Sequence, residues 1–261
     1  MIHWNINPIV LELGPIQVRW YGLCFLAGFL IGFHFMKWVC KREGKPIEAL
    51  DSLLTYLIVG TIIGARLGHV IFYDPAYYSQ HLFEILEVWK GGLASHGGTV
   101  GVFVALWMFS RKNKEFPIAW LFDRIAIPVA LCASFIRLGN LANSEIIGKP
   151  AQVPWAFVFE KVDQVPRHPT QIYESLAYLV LFFVLWAIYA RNPKRAPGLL
   201  FGISMIWIYG ARILLEYLKE NQEPFENGMI MNMGQILSIP FVILGVVLVA
   251  RAIFVRKPAT V

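Results

Sequence analysis

The sequence predicts an all-α fold: a polytopic helical membrane protein of about seven transmembrane helices with a small external cap. Three observations predict it. Of 261 residues, 57% are hydrophobic and 15% charged, against roughly half and a quarter in soluble domains. The apolar residues fall into long blocks, each close to the roughly 20 residues that a helix needs to cross a bilayer. Lys and Arg gather in alternate loops between those blocks, the pattern that orients membrane helices.

The predicted spans are 17–39, 51–73, 94–110, 118–142, 172–190, 198–218 and 234–255. The first opens on Arg19 and Tyr21 and carries Gly28 and Gly32, and the second carries Gly60, Gly64 and Gly68. Small residues four apart let helices approach closely, so these glycines read as packing. The third opens on Ser95-His96-Gly97-Gly98 and is short in apolar residues. It is expected to begin as an irregular segment, which protein or water must cover. The fourth and fifth flank the longest loop, 143–171, rich in Pro and Trp and read as the cap. The whole chain, 1–261, is expected to form one membrane domain. Residues 1–16 lack a basic leader, so no cleavable signal peptide is expected.

One side of these spans holds Lys41, Arg42, Lys45, Arg111, Lys112, Lys114, Arg191, Lys194, Arg195, Arg251, Arg256 and Lys257. The other holds Lys90, Lys149, Lys161, Arg167 and Lys219, with Glu84, Glu87, Glu220, Glu223 and Glu226. The richer side is expected in the cytoplasm, which puts the N-terminus outside and the C-terminus inside. This alternation also argues against nucleic-acid binding, despite a net charge of +6. Cys24, Cys40 and Cys132 lie in or beside apolar segments and read as packing residues. No HExxH pair and no GxSxG elbow occurs.

Ionisable residues inside spans cost about 2.5–3.5 kcal/mol each at a helix centre, so their depth is informative. Arg66, His69, His96, Arg137, Asn140, Asn143, His168, Gln171, Glu174, Arg212, Glu216 and Gln235 all fall at the outward ends. Arg137 with Asn140, and Arg212 with Glu216, sit one turn apart and project together. Each has a plain alternative. Arg212 and Glu216 fit a structural ion pair, Arg66 fits snorkelling to headgroups, His69 fits a packed ring, and His168 before Pro169 fits a helix start. Together they predict an outward-facing polar cavity for an anionic group. Two arginines on different helices suit phosphate, whose oxygens match guanidinium forks. His96, between glycine pairs, is a candidate base near neutral pH.

At these residues the chain resembles the prolipoprotein diacylglyceryl transferase family over essentially its whole length. The matching segments are Arg19–Gly22, Gly64–Gly68, Gly91–Gly98, Arg137–Glu145, His168–Glu174 and Met233–Ser238. The resemblance implies transfer of the diacylglyceryl unit of phosphatidylglycerol to the lipobox cysteine thiol of a preprolipoprotein. A thioether forms and glycerol phosphate leaves, with no cofactor and no metal. It implies His96 as the base, Arg137 and Arg212 as phosphate ligands, and Tyr21, Asn140, Asn143, Glu145, Gly148 and Glu216 as substrate-binding positions. It places the enzyme in the bacterial inner membrane, with its site facing the periplasm. Departures are also present: Tyr209-Gly210-Ala211-Arg212 is one residue shorter than the family's usual spacing, Ser144 stands where glycine is common, and the external loop is short. The rivals are a transporter or flippase, which would place its site near the midplane between repeats, and another phospholipid-dependent transferase.

Overall fold

In the computed structural model, residues 1–14, 16–88, 91–193, 195–220 and 228–254 are described, without the side chains of Ile16, Ser95 and His96. Of the charges counted for orientation, Lys90, Lys194, Glu223, Glu226, Arg256 and Lys257 lie outside the described residues. The chain is mostly helical: α1 (Trp20–Glu43), α2 (Ala49–Phe72), α3 (Pro75–Gln80), α4 (Ser95–Lys112), α5 (Ile118–Asn143), α6 (Thr170–Arg191), α7 (Leu199–Leu215), α8 (Met233–Ile236) and α9 (Ile239–Phe254). Six helical stretches are long and apolar enough to cross a membrane: Trp20–Glu43, Ala49–Phe72, Ile118–Asn143, Thr170–Arg191, Leu199–Leu218 and Met233–Phe254. The predicted third span, α4, does not join them, because glycines and Ser95 open it and Arg111 and Lys112 close it. It is also helical from Ser95 onward, so the expected irregular start is not found.

The chain divides into two compact units, residues 37–121 and residues 1–36 with 122–261. In the first, α2 packs on α4 through glycines. A Cβ on Gly60 would lie 2.7 Å from the Gly101 carbonyl, one on Gly68 2.7 Å from Gly97 Cα, and one on Gly101 would collide with the Gly60 carbonyl. The small-residue stripe of α2 therefore has a counterpart, Gly97 and Gly101, on α4. Arg66 is buried there and does not snorkel. Its Nε donates to the Ile85 carbonyl at 2.9 Å, its Nη1 to Gly91 at 2.7 Å and Gly92 at 3.2 Å, and its Nη2 to Glu84. It also lies over the Tyr78 ring at 5.0 Å. One buried cation thus ties down the segment after α2 by donating to four of its backbone carbonyls, of which Glu84 also accepts the Glu87 amide. His69 stacks on Tyr73 at 5.5 Å, as a packed ring.

In the second unit, α1 meets α5 closely: a Cβ on Gly28 would lie 3.0 Å from Cys132 Cα, and one on Gly32 3.1 Å from Pro128 Cβ. Ser134 and Ser175 hydrogen-bond at 2.8 Å to join α5 to α6. The Trp207 Nε1 donates to the Ala177 carbonyl at 2.9 Å and joins α7 to α6. Asp123 on α5 caps α7 from a distance, accepting from the amides of Gly198 at 2.8 Å and Phe201 at 2.9 Å. A carboxylate there fills orphan donors at the positive end of the helix.

Two small sheets correct the all-α expectation. One orders β1 (Ile2–Trp4), β4 (Phe157–Phe159) and β5 (Pro166–Arg167), with β1 parallel to β4 and β4 antiparallel to β5. The other is a hairpin of β2 (Ile9–Leu13) and β3 (Ile16–Arg19). Runs of two to five residues are too short for a readable alternation. The three-stranded sheet ties the N-terminus to the loop read as a cap, over a core of Leu141, Phe157 and Phe159.

Candidate active site

The polar residues gather where α5 ends, α6 begins and α7 ends, all within the second unit. The Arg137-to-Glu145 segment is a helix terminus. Ser144 takes a left-handed φ of 56°, its amide bonds the Leu141 carbonyl at 3.0 Å, and the Glu145 amide reaches back to Asn140 at 3.0 Å. This pair of bonds is the Schellman closure, which favours glycine at the left-handed position. That accounts for glycine being common at the position where Ser144 stands in this chain. The turn folds Glu145 back, so that its carboxylate accepts from Asn140 Nδ2 at 3.2 Å and Asn143 Nδ2 at 3.0 Å. The Asn140 carbonyl oxygen in turn accepts from Arg137 Nη1 at 3.2 Å.

The next turn of chain stitches the elements together. Gly148 bridges to Lys219 and its amide bonds the His168 carbonyl at 3.2 Å, while a Cβ there would lie 2.7 Å from His168 Cβ. Only glycine fits between these two segments of chain. The Gln171 side-chain Nε2 donates to the Glu145 carbonyl at 2.7 Å, and Thr170 Oγ1 to the Ile146 carbonyl at 3.0 Å. Outside the spans, Arg167 donates to Asp163 at 2.6 Å and to Glu220 at 2.6 Å. The Arg167 guanidinium holds the Asp163 carboxyl below its ordinary value, and the two carboxylates hold Arg167 above its own.

Beneath this lies a chain of buried charges. Glu174 is fully buried and stands between two cations: Lys219 Nζ at 2.8 Å from one oxygen and Arg137 Nε at 3.0 Å from the other. Lys219 also pairs with Glu216 at 3.3 Å. Glu216 therefore pairs with lysine, and the alternative reading, an ion pair with Arg212, is not what forms. Arg212 makes no ion pair among the described residues, and its Nε is buried without a hydrogen-bond partner. The Tyr178 hydroxyl lies within electrostatic range of Glu174, Arg137 and Arg212, so the arginines of α5 and α7 converge around α6. A Cβ on Gly234 would lie 2.8 Å from the Glu216 carboxylate, and Asn232 and Gln235 cap the short α8 beside it.

A family comparison decides what this arrangement belongs to. The family model for prolipoprotein diacylglyceryl transferase matches residues 8–251. The chain belongs to that family. A phosphatidylglycerol–prolipoprotein diacylglyceryl transferase of Tolumonas auensis is 47% identical, over 95% of this chain and 96% of that protein. Proteins of the same name from Chloroherpeton thalassium, 46% identical over 97% of this chain and 94% of theirs, and Porphyromonas gingivalis, 43% identical over 99% and 96%, are similar along their whole length.

Of the positions singled out from the sequence, Arg137, Asn140, Asn143, Glu145, Gly148 and Glu216 fall in this one network, and Arg212 lies within electrostatic range of Tyr178 beside it. Tyr21 sits at the start of α1 against Gly139, where a Cβ would meet its ring at 2.9 Å. The His96 side chain lies outside the described residues; its backbone is in the first turn of α4, in the other unit. Tyr209 stacks on Phe241 at 4.4 Å, as a packing residue. The sequence reading gave no part in the site to Lys219 or Tyr178, and noted Glu174 only for its depth. A lysine after an apolar span reads as an ordinary flanking charge, and only its burial marks it out.

Proposed function

We propose that this protein transfers the diacylglyceryl group of phosphatidylglycerol to the lipobox cysteine thiol of preprolipoproteins in the bacterial inner membrane. The observation that carries the reading is the convergence of Arg137 and Arg212 around Tyr178, with Arg212 free of any protein counter-ion among the described residues. On this reading the arginines hold the lipid phosphate. The thiolate sulfur attacks the diacylglyceryl carbon, the S–C bond forms as the C–O bond breaks, and the electron pair leaves with glycerol phosphate. The arginines then meet charge that grows on the leaving oxygen. His96 takes the thiol proton; its support is the family resemblance and its place between glycine pairs. Asn140, Asn143 and Glu145 shape the arginine end of the site, and Tyr21 and Gly148 line it.

The protein works as one membrane domain, with seven spans counting α4, the N-terminus outside, the C-terminus inside and the 143–171 cap in the periplasm. The basic-residue asymmetry supports this orientation. Purified protein, incubated with phosphatidylglycerol and a lipobox peptide, is expected to give a diacylglyceryl adduct on the peptide cysteine by mass spectrometry. An adduct formed equally well with phosphatidylethanolamine, or none at all, refutes the reading. Strong outside labelling of a cysteine placed at Asn113, with none at Lys161, refutes the orientation.

A further inference from the structure

We propose that Glu174 is a positioning residue: held by Lys219, it fixes the plane in which Arg137 presents its guanidinium to the lipid phosphate. The inference rests on the reading of Arg137 as a phosphate ligand. Glu174 is fully buried in the first turns of α6, and each of its two oxygens faces a different cation. Lys219 is buried as well and is anchored three ways: by Glu174, by Glu216, and by its own backbone bridge to Gly148. The carboxylate therefore has one orientation. It meets Arg137 on Nε while Asn140 meets it on Nη1. Two fixed points on a planar group define its plane, and the long stem above them loses its freedom to swing.

The charges separate this role from simple neutralisation. Within the buried part of the network Arg137 and Lys219 are matched by Glu174 and Glu216, which leaves Arg212 unmatched there; Glu145, at the exposed edge, adds one negative charge beyond Asn140 and Asn143. Attraction for an anion then comes from Arg212, and Arg137 contributes fork geometry that Glu174 sets. A glutamine at this position cannot do the same. Its amide offers one oxygen, so either Lys219 or Arg137 must face an NH₂ donor. The N–H of Arg137 is not aimed along its contact with Glu174. Such contacts commonly tighten when a ligand arrives.

The test measures phosphatidylglycerol affinity of the full-length protein in detergent, with the KM of a lipobox peptide and the melting temperature alongside. Glu174→Asp keeps the charge but withdraws the carboxylate by one methylene. It is expected to weaken lipid affinity about 10-fold, with peptide KM and melting temperature little changed; misplacement on this scale can cost up to about 10²-fold. Glu174→Gln is expected to lose more. In an Arg137→Ala background, Glu174→Asp is expected to cost nothing further, because it acts through Arg137. Wild-type lipid affinity in Glu174→Asp, or a loss that adds in full to that of Arg137→Ala, overturns the positioning role while leaving the arginine reading standing. If Arg137→Ala itself binds phosphatidylglycerol normally, the phosphate reading fails first and the inference with it.

Discussion

Arg137→Lys separates a fork from a charge. The guanidinium has its Nε at Glu174, 3.0 Å away, and its Nη1 at Asn140 Oδ1, 3.2 Å away. Both hold it from the protein side, with the Tyr178 hydroxyl also within reach of the group; on the proposed reading its remaining N–H groups meet the phosphate. Lysine brings one nitrogen, which cannot occupy both ends of that plane. It either stays with Glu174 and Asn140 or moves to the phosphate, and in each case about two charge-assisted bonds go. At about 1.5 kcal/mol apiece, the low end for bonds to charged groups, the loss is about 3 kcal/mol. That is about 10²-fold in kcat/KM. Solvent does little to soften it, since the Arg137 side chain is only 16% exposed. The assay is the initial rate of adduct formation at several phosphatidylglycerol concentrations, with Arg137→Ala in parallel. Arg137→Lys should fall close to the alanine variant. A lysine variant within about 3-fold of the unsubstituted protein in kcat/KM, a difference worth under 1 kcal/mol, would show that a point charge suffices.

Other perturbations probe other parts. His96→Gln removes the proposed base: the rate at neutral pH should fall about 10²–10⁴-fold, and the remainder should rise with pH as the substrate thiol ionises unaided; a flat pH response refutes base catalysis. Gly101→Val drives a side chain into the Gly60 carbonyl, and overpacking typically costs about 1–3 kcal/mol. Its melting temperature in detergent should drop well below that of Gly210→Val, where an added Cβ meets nothing within 4 Å. Arg66→Met removes the Arg66 donor from the carbonyls of Ile85, Gly91 and Gly92 and leaves that of Glu84 with the Glu87 amide alone, at about 1–3 kcal/mol for each one left dry. Amide exchange over residues 82–88 should accelerate. In the cap, Asp163 has its pKa lowered by Arg167, so its contribution is present above the unfolded value, about 3.9, and is lost as pH falls through the lower folded one. Proteolysis of the cap should therefore rise only below about pH 4, modestly for so exposed a pair, and Asp163→Asn should abolish the step.

The sequence carried the helices because burial against lipid leaves a long, uninterrupted apolar signal. α2, α5, α6 and α7 start or stop within a few residues of the expected boundaries. The Arg137–Glu145 stretch was also legible, since a helix terminus with its own closing bonds is a local object. What could not be read depends on residues far apart in the chain. Glu174 and Lys219 meet across 45 residues, and nothing near either one announces the other. Glu216 was visible one turn from Arg212, where the spacing rule favours a pair. The break from α7 into the turn Glu216–Leu218 brings Lys219 to it instead. Gly97 and Gly101 went unread because a glycine-rich helix start looks like loss of structure until its partner helix is in place.

The charge inventory bears on how the proposed site handles substrate and product differently. Counting buried groups alone among the described residues, Arg137, Lys219 and the unpaired Arg212 stand against Glu174 and Glu216, a surplus of one positive charge, with Glu145 at the exposed edge outside this count. A phosphodiester carries one negative charge, so the bound lipid brings the set to neutrality. Two buried ion pairs are costly to desolvate and contribute little net stability; their use here lies in holding Arg137 and Lys219 still. As the C–O bond breaks, a second negative charge appears on the leaving oxygen. The protein dipoles and cations that meet it are already fixed in place, so no reorganisation is needed at that moment, which is the condition under which electrostatic stabilisation of a transition state is largest. The free glycerol phosphate then exceeds the site's single surplus charge. On the proposed orientation, water at the outer face solvates the dianion better than a site matched to a monoanion, so glycerol phosphate leaves toward the aqueous side while the diacylglyceryl-modified peptide stays with the bilayer.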